Sequence, residues 1–290
     1  IIFNTIYDNG EGIICGDSNP TIGYNLIYNN NTYGILTRFS SCPIIINNII
    51  SNNIYGIVNH DLSTPIIRNN TICNNDKGIY CYSSSNPIII NNILFNNTLG
   101  IEAVSSPSSI EYNLFWLNNN HGLGSCIPST FGDILTVNAN GDSCDISYNL
   151  FINPLFINPT NEDYHLQSDS PCIDAGDPSL SLDPDGTTTD MGAYYYYQFN
   201  CDFNSDITTG THPLEVSFTD NSYGILTSWE WDFDNNGTID SFEQNATWIY
   251  NAPGIYTVSL TIGDGNGFET EIKTDLITVI NTDPIVQNPL

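Results

Sequence analysis

Gly56-Ile57-Val58-Asn59-His60-Asp61-Leu62-Ser63-Thr64-Pro65-Ile66-Ile67-Arg68-Asn69-Asn70-Thr71-Ile72-Cys73-Asn74-Asn75-Asp76-Lys77 is one unit of a repeat, and Gly78 opens the next. Glycine recurs every 22 residues at Gly12, Gly34, Gly56, Gly78, Gly100 and Gly122, with Asn9, Asn31, Asn53, Asn75, Asn97 and Asn119 three places earlier. One apolar column follows the glycines as Ile13, Ile35, Ile57, Ile79, Ile101 and Leu123. A second is Ile22, Ile45, Ile67, Ile89 and Ile110, and a third is Ile6, Ile27, Ile50, Ile72, Leu94 and Phe115. Three apolar positions per 22 residues, separated by turn-forming residues, predict three short strands per unit.

No window carries the i, i+3, i+4 pattern that an ankyrin or leucine-rich repeat requires, and β-branched Ile and turn-prone Asn dominate instead. The expected fold is a right-handed parallel β-helix whose coils stack at roughly 4.8 Å, the ordinary strand spacing. Asn4, Asn25, Asn48, Asn70, Asn92 and Asn113 then form an amide ladder. The glycines are expected to occupy backbone angles closed to other residues. Pro20, Pro43, Pro65, Pro87 and Pro107 mark strand entries, where no ladder N–H is needed.

These coils resemble the β-helix repeats of the pectate-lyase-like superfamily. The resemblance implies the solenoid but not an activity, because that scaffold carries lyases, hydrolases, adhesins and inert stalks. Ile1 aligns with Ile22, so earlier coils are expected to precede it.

The chain has four Lys and Arg against 32 Asp and Glu, a net charge of −28. Seven of the acids and three of the bases fall before Asn120, leaving 25 acids and Lys273 for the remainder. Phosphate neutralisation needs clustered cations, so nucleic acid and anionic membranes are excluded as partners, and divalent cations are the natural counter-ions. No apolar run is long enough to span a bilayer. Eight cysteines are too few for a disulfide scaffold of this length. Cys126 and Cys144 flank an insertion that interrupts the repeat, and they are the candidate bridge, with two buried thiols as the alternative.

The last coil leaves near Asn149, and an open solenoid end needs capping. Ser170 to Asp177, Asp183 to Gly186 and Asp190 to Tyr194 resemble the closing motif of secreted β-helix proteins, and their acids serve either turns or a cation. After Gln198 short alternating strands begin, among them Pro213 to Asp220, Ser228 to Phe233 and Pro253 to Ile262. Their spacing predicts an immunoglobulin-like sandwich, and the residues closely resemble a PKD domain. That resemblance implies a secreted or surface-exposed spacer and interaction module. The expected organisation is a β-helix over 1–160, its cap over 161–198, a PKD sandwich over 199–281 and a linker over 282–290.

Asp232 to Glu243 reads Asp-Phe-Asp-Asn-Asn-Gly-Thr-Ile-Asp-Ser-Phe-Glu. Oxygen ligands stand at loop positions 1, 3, 5, 9 and 12 as Asp232, Asp234, Asn236, Asp240 and Glu243, with the Thr238 carbonyl at position 7 and Gly237 at the turn. This matches a calcium-loop template carried on a hairpin instead of between helices; the alternative is a long turn rich in Asp and Asn. In the coils, Arg38, His60 and Tyr82 each lie four residues after a glycine, with Asp61 beside His60. Stacked, they would bring a guanidinium, an imidazole and a phenol together, a set able to neutralise a uronate and move a proton.

Outward positions Ile14, Leu36, Val58 and Tyr80, together with Ile44, Ile66, Ile88, Ile46 and Ile90, are expected to leave apolar stripes for a partner. The reading that follows is a non-catalytic extracellular structural or interaction protein with calcium-stabilised modules: a surface-layer, adhesive-stalk or filament subunit. Its expected partners are copies of itself or other cell-surface proteins and glycans. The alternative is a secreted polysaccharide lyase or glycoside hydrolase with a PKD accessory domain, using Arg38, His60, Asp61 and Tyr82.

Overall fold

A computed structural model describes residues 1–106, 108–265 and 267–281, so Pro107 and the expected linker 282–290 lie outside the described residues. The chain divides into two compact units, one formed by Ile1–Asp183 with Thr187–Tyr196, the other by Pro184–Gly186 with the chain from Tyr197 onward.

In the first unit each coil contributes one strand to each of three parallel sheets. One sheet stacks Thr5–Tyr7, Leu26–Tyr28, Ile49–Ser51, Thr71–Cys73, Ile93–Phe95 and Leu114–Trp116. The second stacks Ile13–Gly16, Tyr33–Arg38, Tyr55–Asn59, Lys77–Cys81, Leu99–Ala103 and Asn120–Leu123. The third stacks Thr21–Gly23, Ile44–Ile46, Ile66–Arg68, Ile88–Ile90 and Ser109–Glu111. Pairing is in register with the repeat, so Ile57 lies between Ile35 and Ile79, and the three apolar columns merge into one buried core.

The amide ladder runs the length of the solenoid. Asn70 donates from Nδ2 to Asn92 Oδ1 at 3.0 Å and to the Ile45 and Arg68 carbonyls at 2.9 Å, while its own Oδ1 accepts the Asn48 N–H at 3.0 Å. The column begins at Asn4 and extends one rung further, to Asn149, beyond the insertion.

A second ladder passes through Asn9, Asn30, Asn53, Asn75, Asn97 and Asn118. It departs from the glycine-based register at two rungs, where Asn30 and Asn118, not Asn31 and Asn119, point inward. The fixed quantity is the five-residue spacing between the two ladders; the extra residue falls between ladder and glycine. The same slip places Gly122 opposite Ile101 and turns Leu123 outward, half exposed, in place of a core position.

The repeat glycines are not selected for their backbone angles, because none has a positive φ. A Cβ at Gly12, Gly34, Gly56 or Gly78 would lie 2.3–2.7 Å from the carbonyl oxygen of the glycine one coil on, so close approach of backbones excludes any side chain. The left-handed angles fall instead on the residue before each ladder asparagine: Phe3, Tyr24, Asn47, Asn69, Asn91, Tyr112 and Tyr148 in one corner column, with φ of 51–59°.

Two segments close the solenoid. Phe131 and Phe151 fill the open end, packing at 5.0 and 5.5 Å against Phe115 of the last core layer. The chain from Phe156 to Ala193 lies along the side, over the outward face of the first sheet, where Ile49, Cys73, Ile93 and Leu114 are buried beneath Phe156, Tyr164, Leu166, Cys172 and Met191. It is anchored on the corner column. Asn47 donates to the Ala193 carbonyl, Asn69 to the Asp190 carbonyl, and Asn91 accepts the Asp177 N–H.

The Cys126–Cys144 bridge is not formed. Cys126 packs with the end-closing residues and takes the Ser106 N–H at 3.2 Å, whereas Cys144 is buried in the separate cluster beneath the side segment. The expected apolar stripes are covered in part. Leu36 and Val58 are 5% and 1% exposed and Ile90 is buried, Ile46, Ile66 and Tyr80 are half-buried, and Ile14, Ile44 and Ile88 are exposed.

The second unit is a sandwich. A sheet of Phe203–Ser205, Leu214–Asp220 and Ala246–Tyr250 faces one of Thr209–Thr211, Phe268–Ile280, Gly254–Gly263 and Ser228–Asp232. Trp231, Phe203, Phe218 and Phe233 fill the space between them.

The two-ladder register predicts that Asn30→Ala costs about 2–4 kcal/mol, the sum of its own bonds and of the groups it orphans. Asn31→Ala, at an exposed position outside the ladder, is near neutral. Urea denaturation of both variants reads the difference; equal losses would contradict the register.

Candidate functional site

The strand Ser228–Asp232 alternates so that Trp231 enters the sandwich core and Asp232 begins the loop beyond it. Trp231 ties down both arms of the loop: its N–H donates to the Ser241 carbonyl, its carbonyl accepts the Asp240 N–H, and its indole Nε1 donates to the Glu243 carbonyl at 2.8 Å. Asp232 is buried, and its carboxylate accepts the Asn236 N–H at 3.1 Å and the Gly237 N–H at 2.7 Å. Gly237 (φ 84°) and Asn235 (φ 52°) make the turn that aims those donors inward. Asp240 Oδ2 accepts the Phe233 N–H at 2.8 Å, and the Tyr250 hydroxyl donates to the Phe233 carbonyl at 2.9 Å.

This framework brings carboxylate oxygens of Asp232, Asp234 and Asp240 within 4.8 Å of one another. At an effective dielectric constant of about 20, each pair at that separation repels by about 3 kcal/mol, less where water reaches Asp234. Burial, with the charges of Asp234 and Asp240 adding to it, pushes the Tyr250 phenol above its ordinary range.

The loop does not assemble the whole template. Asn236 Oδ1 accepts the Thr238 N–H at 2.8 Å, Thr238 is exposed, and Glu243 lies outside the three-carboxylate group. Trp231 holds the Glu243 backbone at the far end of the loop.

In the solenoid, the stacking expected of His60 and Tyr82 is present: their rings lie 5.0 Å apart and 7° from parallel. Asp61 Oδ2 is 2.9 Å from His60 Nδ1. Arg38 points elsewhere, its guanidinium 4.9 Å from the centre of the Phe39 ring. The sequence reading missed the residues around this trio. Tyr33, Tyr55 and Tyr80 continue the ring series, and Lys77 pairs with Glu102 at 2.5 Å while lying over Tyr80. The available signal was Tyr33 and Tyr55, each immediately before a repeat glycine.

In the side segment, the acids serve the backbone. Asp190 accepts the Asp174 N–H at 2.7 Å and the Tyr196 N–H at 2.6 Å, and its own N–H goes to Asp183. Among the described residues, Asp232, Asp234 and Asp240 form the one acidic group close enough to share a metal. Buried thiols are inert; burial raises Cys73 and Cys81 to about 12.

Residues 1–152 match the right-handed beta helix region family, and residues 198–279 match the PKD domain family. The chain belongs to the right-handed β-helix family, and it carries a PKD domain behind the solenoid. Among solved structures it is similar to the PKD1 domain of the Vibrio cholerae metalloprotease PrtV (31% identity, 27% of this chain and 93% of that one, TM-score 0.23). It is also similar to the PKD1 domain of Vibrio anguillarum Epp (33%, 29% and 100%, TM-score 0.24). The pectate lyase Pel9A aligns at 13% identity over 66% of this chain and 69% of that one, with a TM-score of 0.34. No curated protein matches the chain. Among the described residues no helix is long and apolar enough to cross a membrane.

Asp190 provides a pH test. Burial raises its carboxyl to about 7 against the opposing pull of its two backbone donors. Between about pH 4 and 7 the folded state therefore keeps a proton that the unfolded state has released, and stability falls as pH rises through that window. In thermal melts from pH 4 to 8, Asp190→Asn gains on the wild type across the window and holds a constant offset above it. A flat difference would contradict the shift.

Proposed function

We propose that this chain is a non-catalytic structural and interaction module of the cell exterior, a rigid β-helix rod joined to a PKD sandwich stabilised by calcium. The observation that carries the metal assignment is the convergence of Asp232, Asp234 and Asp240 within 4.8 Å, on a loop fixed by Trp231 and Gly237 and with no cationic partner among the described residues. Three hard oxygen ligands, with Asp234 exposed and room for carbonyl and water oxygens, suit calcium better than magnesium, which demands tighter octahedral geometry. Carbonyl and water oxygens complete the shell, and calcium relieves the repulsion that the loop otherwise carries. In the solenoid, the regularly spaced polar residues are spent on holding coil to coil, which suits a spacer. The PKD domain and the large excess of acid support an exported protein in a calcium-containing medium, with surface-layer, stalk and filament roles all built on the same rod.

Calcium titration of the whole chain is expected to show one ion bound and a rise in the melting transition of the PKD unit, reversed by EDTA. A calcium concentration of 100 Kd is worth about 2.7 kcal/mol. Asp234→Asn lowers affinity at least tenfold, whereas Glu243→Gln, outside the cluster, stays within twofold. Absence of binding heat together with a transition indifferent to EDTA would overturn the assignment.

A further inference from the structure

The triplet Asn-X-Ser/Thr, with X other than proline, is the acceptor motif for N-linked glycan, and the chain carries it at Asn30, Asn69, Asn96, Asn236 and Asn245. A transferase needs the asparagine amide nitrogen free and within reach, and the fold meets that need unequally. Asn30 is buried, and its Nδ2 is spent on the Tyr28 carbonyl and on Asn53 Oδ1 of the second ladder. Asn69 is also buried, and its Nδ2 donates to the Asp190 carbonyl at 2.7 Å. Asn96 is exposed, but its Nδ2 donates to Asn74 Oδ1 at 2.7 Å, and the middle residue of its triplet is the ladder asparagine Asn97.

The two triplets of the sandwich differ from these three. Each has an acid two residues before the asparagine: Asp234-Asn235-Asn236-Gly237-Thr238 and Glu243-Gln244-Asn245-Ala246-Thr247. The solenoid triplets have Tyr28, Ile67 and Leu94 in that place. One prokaryotic class of oligosaccharyltransferase demands such an acid, which gives the enzyme an ionic contact beside the reacting amide. In the first triplet the acid is Asp234, one of the three converging carboxylates, and Asp232 holds the Asn236 and Gly237 N–H groups. In the second, the groups the reaction uses all face solvent. Glu243 lies outside the carboxylate group, and Glu243, Gln244, Asn245 and Thr247 are exposed around the buried Ala246. Asn245 Oδ1 accepts the Asp220 N–H at 3.0 Å, and Asn245 Nδ2 makes no hydrogen bond among the described residues. Thr247 is the second residue of Ala246–Tyr250, an edge strand paired on one side alone, so the segment can leave the sheet locally without opening the core.

From these observations we infer that Asn245 is an acceptor of N-linked oligosaccharide, with Glu243 and Thr247 as the side chains the transferase reads. The donor is an oligosaccharide carried on a lipid diphosphate. Asn245 Nδ2 bonds to C1 of the first sugar, the bond from C1 to the phosphate oxygen breaks, the lipid diphosphate leaves with the electron pair, and the amide gives up one proton. The assignment deepens the exterior role proposed above and rests on that reading for where the chain meets the donor. Transfer to the purified chain depends on the Asn245 segment alone, whereas calcium binding is read by its own heat. Failure of either therefore leaves the other standing.

The test incubates the folded full chain with a purified transferase of the acid-demanding class and a lipid-diphosphate-linked oligosaccharide, and reads the products by intact mass and glycopeptide mapping. A glycan is expected on Asn245, with Asn30, Asn69 and Asn96 unmodified. Asn245→Gln and Thr247→Ala each abolish transfer to this site, and Glu243→Gln slows it at least tenfold. Because Thr247 lies in a strand, Thr247→Ser, which keeps the hydroxyl, provides the second reading and retains transfer. No transfer to Asn245 in the folded chain, transfer there only after denaturation, a glycan on Asn30 or Asn69 of the folded chain, or equal rates for Glu243→Gln and wild type would each overturn the assignment.

Discussion

Side-chain amides hydrogen-bonded from coil to coil are what the solenoid depends on. A parallel β-helix pairs its strands only along the axis, and at every corner the backbone leaves the sheet with donors and acceptors unspent. Asparagine answers both needs. Its oxygen takes a backbone N–H and an amide from the preceding rung, while its nitrogen reaches a carbonyl in its own coil, another in the coil before, and the next rung. Satisfied at every rung, such a column is inexpensive to bury; interrupted once, it leaves orphans on both sides.

The same constraint explains how much of the fold was legible in the sequence. Residues fixed by axial stacking recur at the repeat period, so the three apolar columns, the first ladder and the proline entries are visible in the letters. The second ladder was obscured because it keeps step with the first ladder rather than with the glycines, and two coils insert a residue between. Buried Ser41, Ser63, Ser85 and Ser106 form another stacked column that passed unnoticed, although the first three lie 22 residues apart. Serine at a turn looks the same in sequence whether it faces water or protein.

What periodicity does not reach is contact between segments of different pattern. Ile49, Ile93 and Leu114 are apolar on the outward face because a non-repetitive segment more than forty residues further along lies over them. In the acidic loop after Trp231, the ligand-like spacing was readable, but which oxygens converge was not. That depends on Trp231, a core residue whose indole and backbone hold the two arms of the loop and keep Glu243 at the far end. The ring series was half visible: His60 and Tyr82 share a column, whereas Tyr80 joins Tyr55 diagonally across neighbouring strands, a relation that no single-column reading contains.

The left-handed corner before the first ladder acts as an address strip. Aromatic residues occupy its two ends and asparagine its middle, and the side segment grips the three asparagines at Asn47, Asn69 and Asn91. Coils on the N-terminal side of Asn47 take no part in those three bonds. Duplicating a 22-residue unit there lengthens the rod by one rise of about 4.8 Å without disturbing how the far end is closed. Length in this architecture is thus a quantity that gene duplication can adjust in single steps, while the closure, written in three letters, is inherited whole.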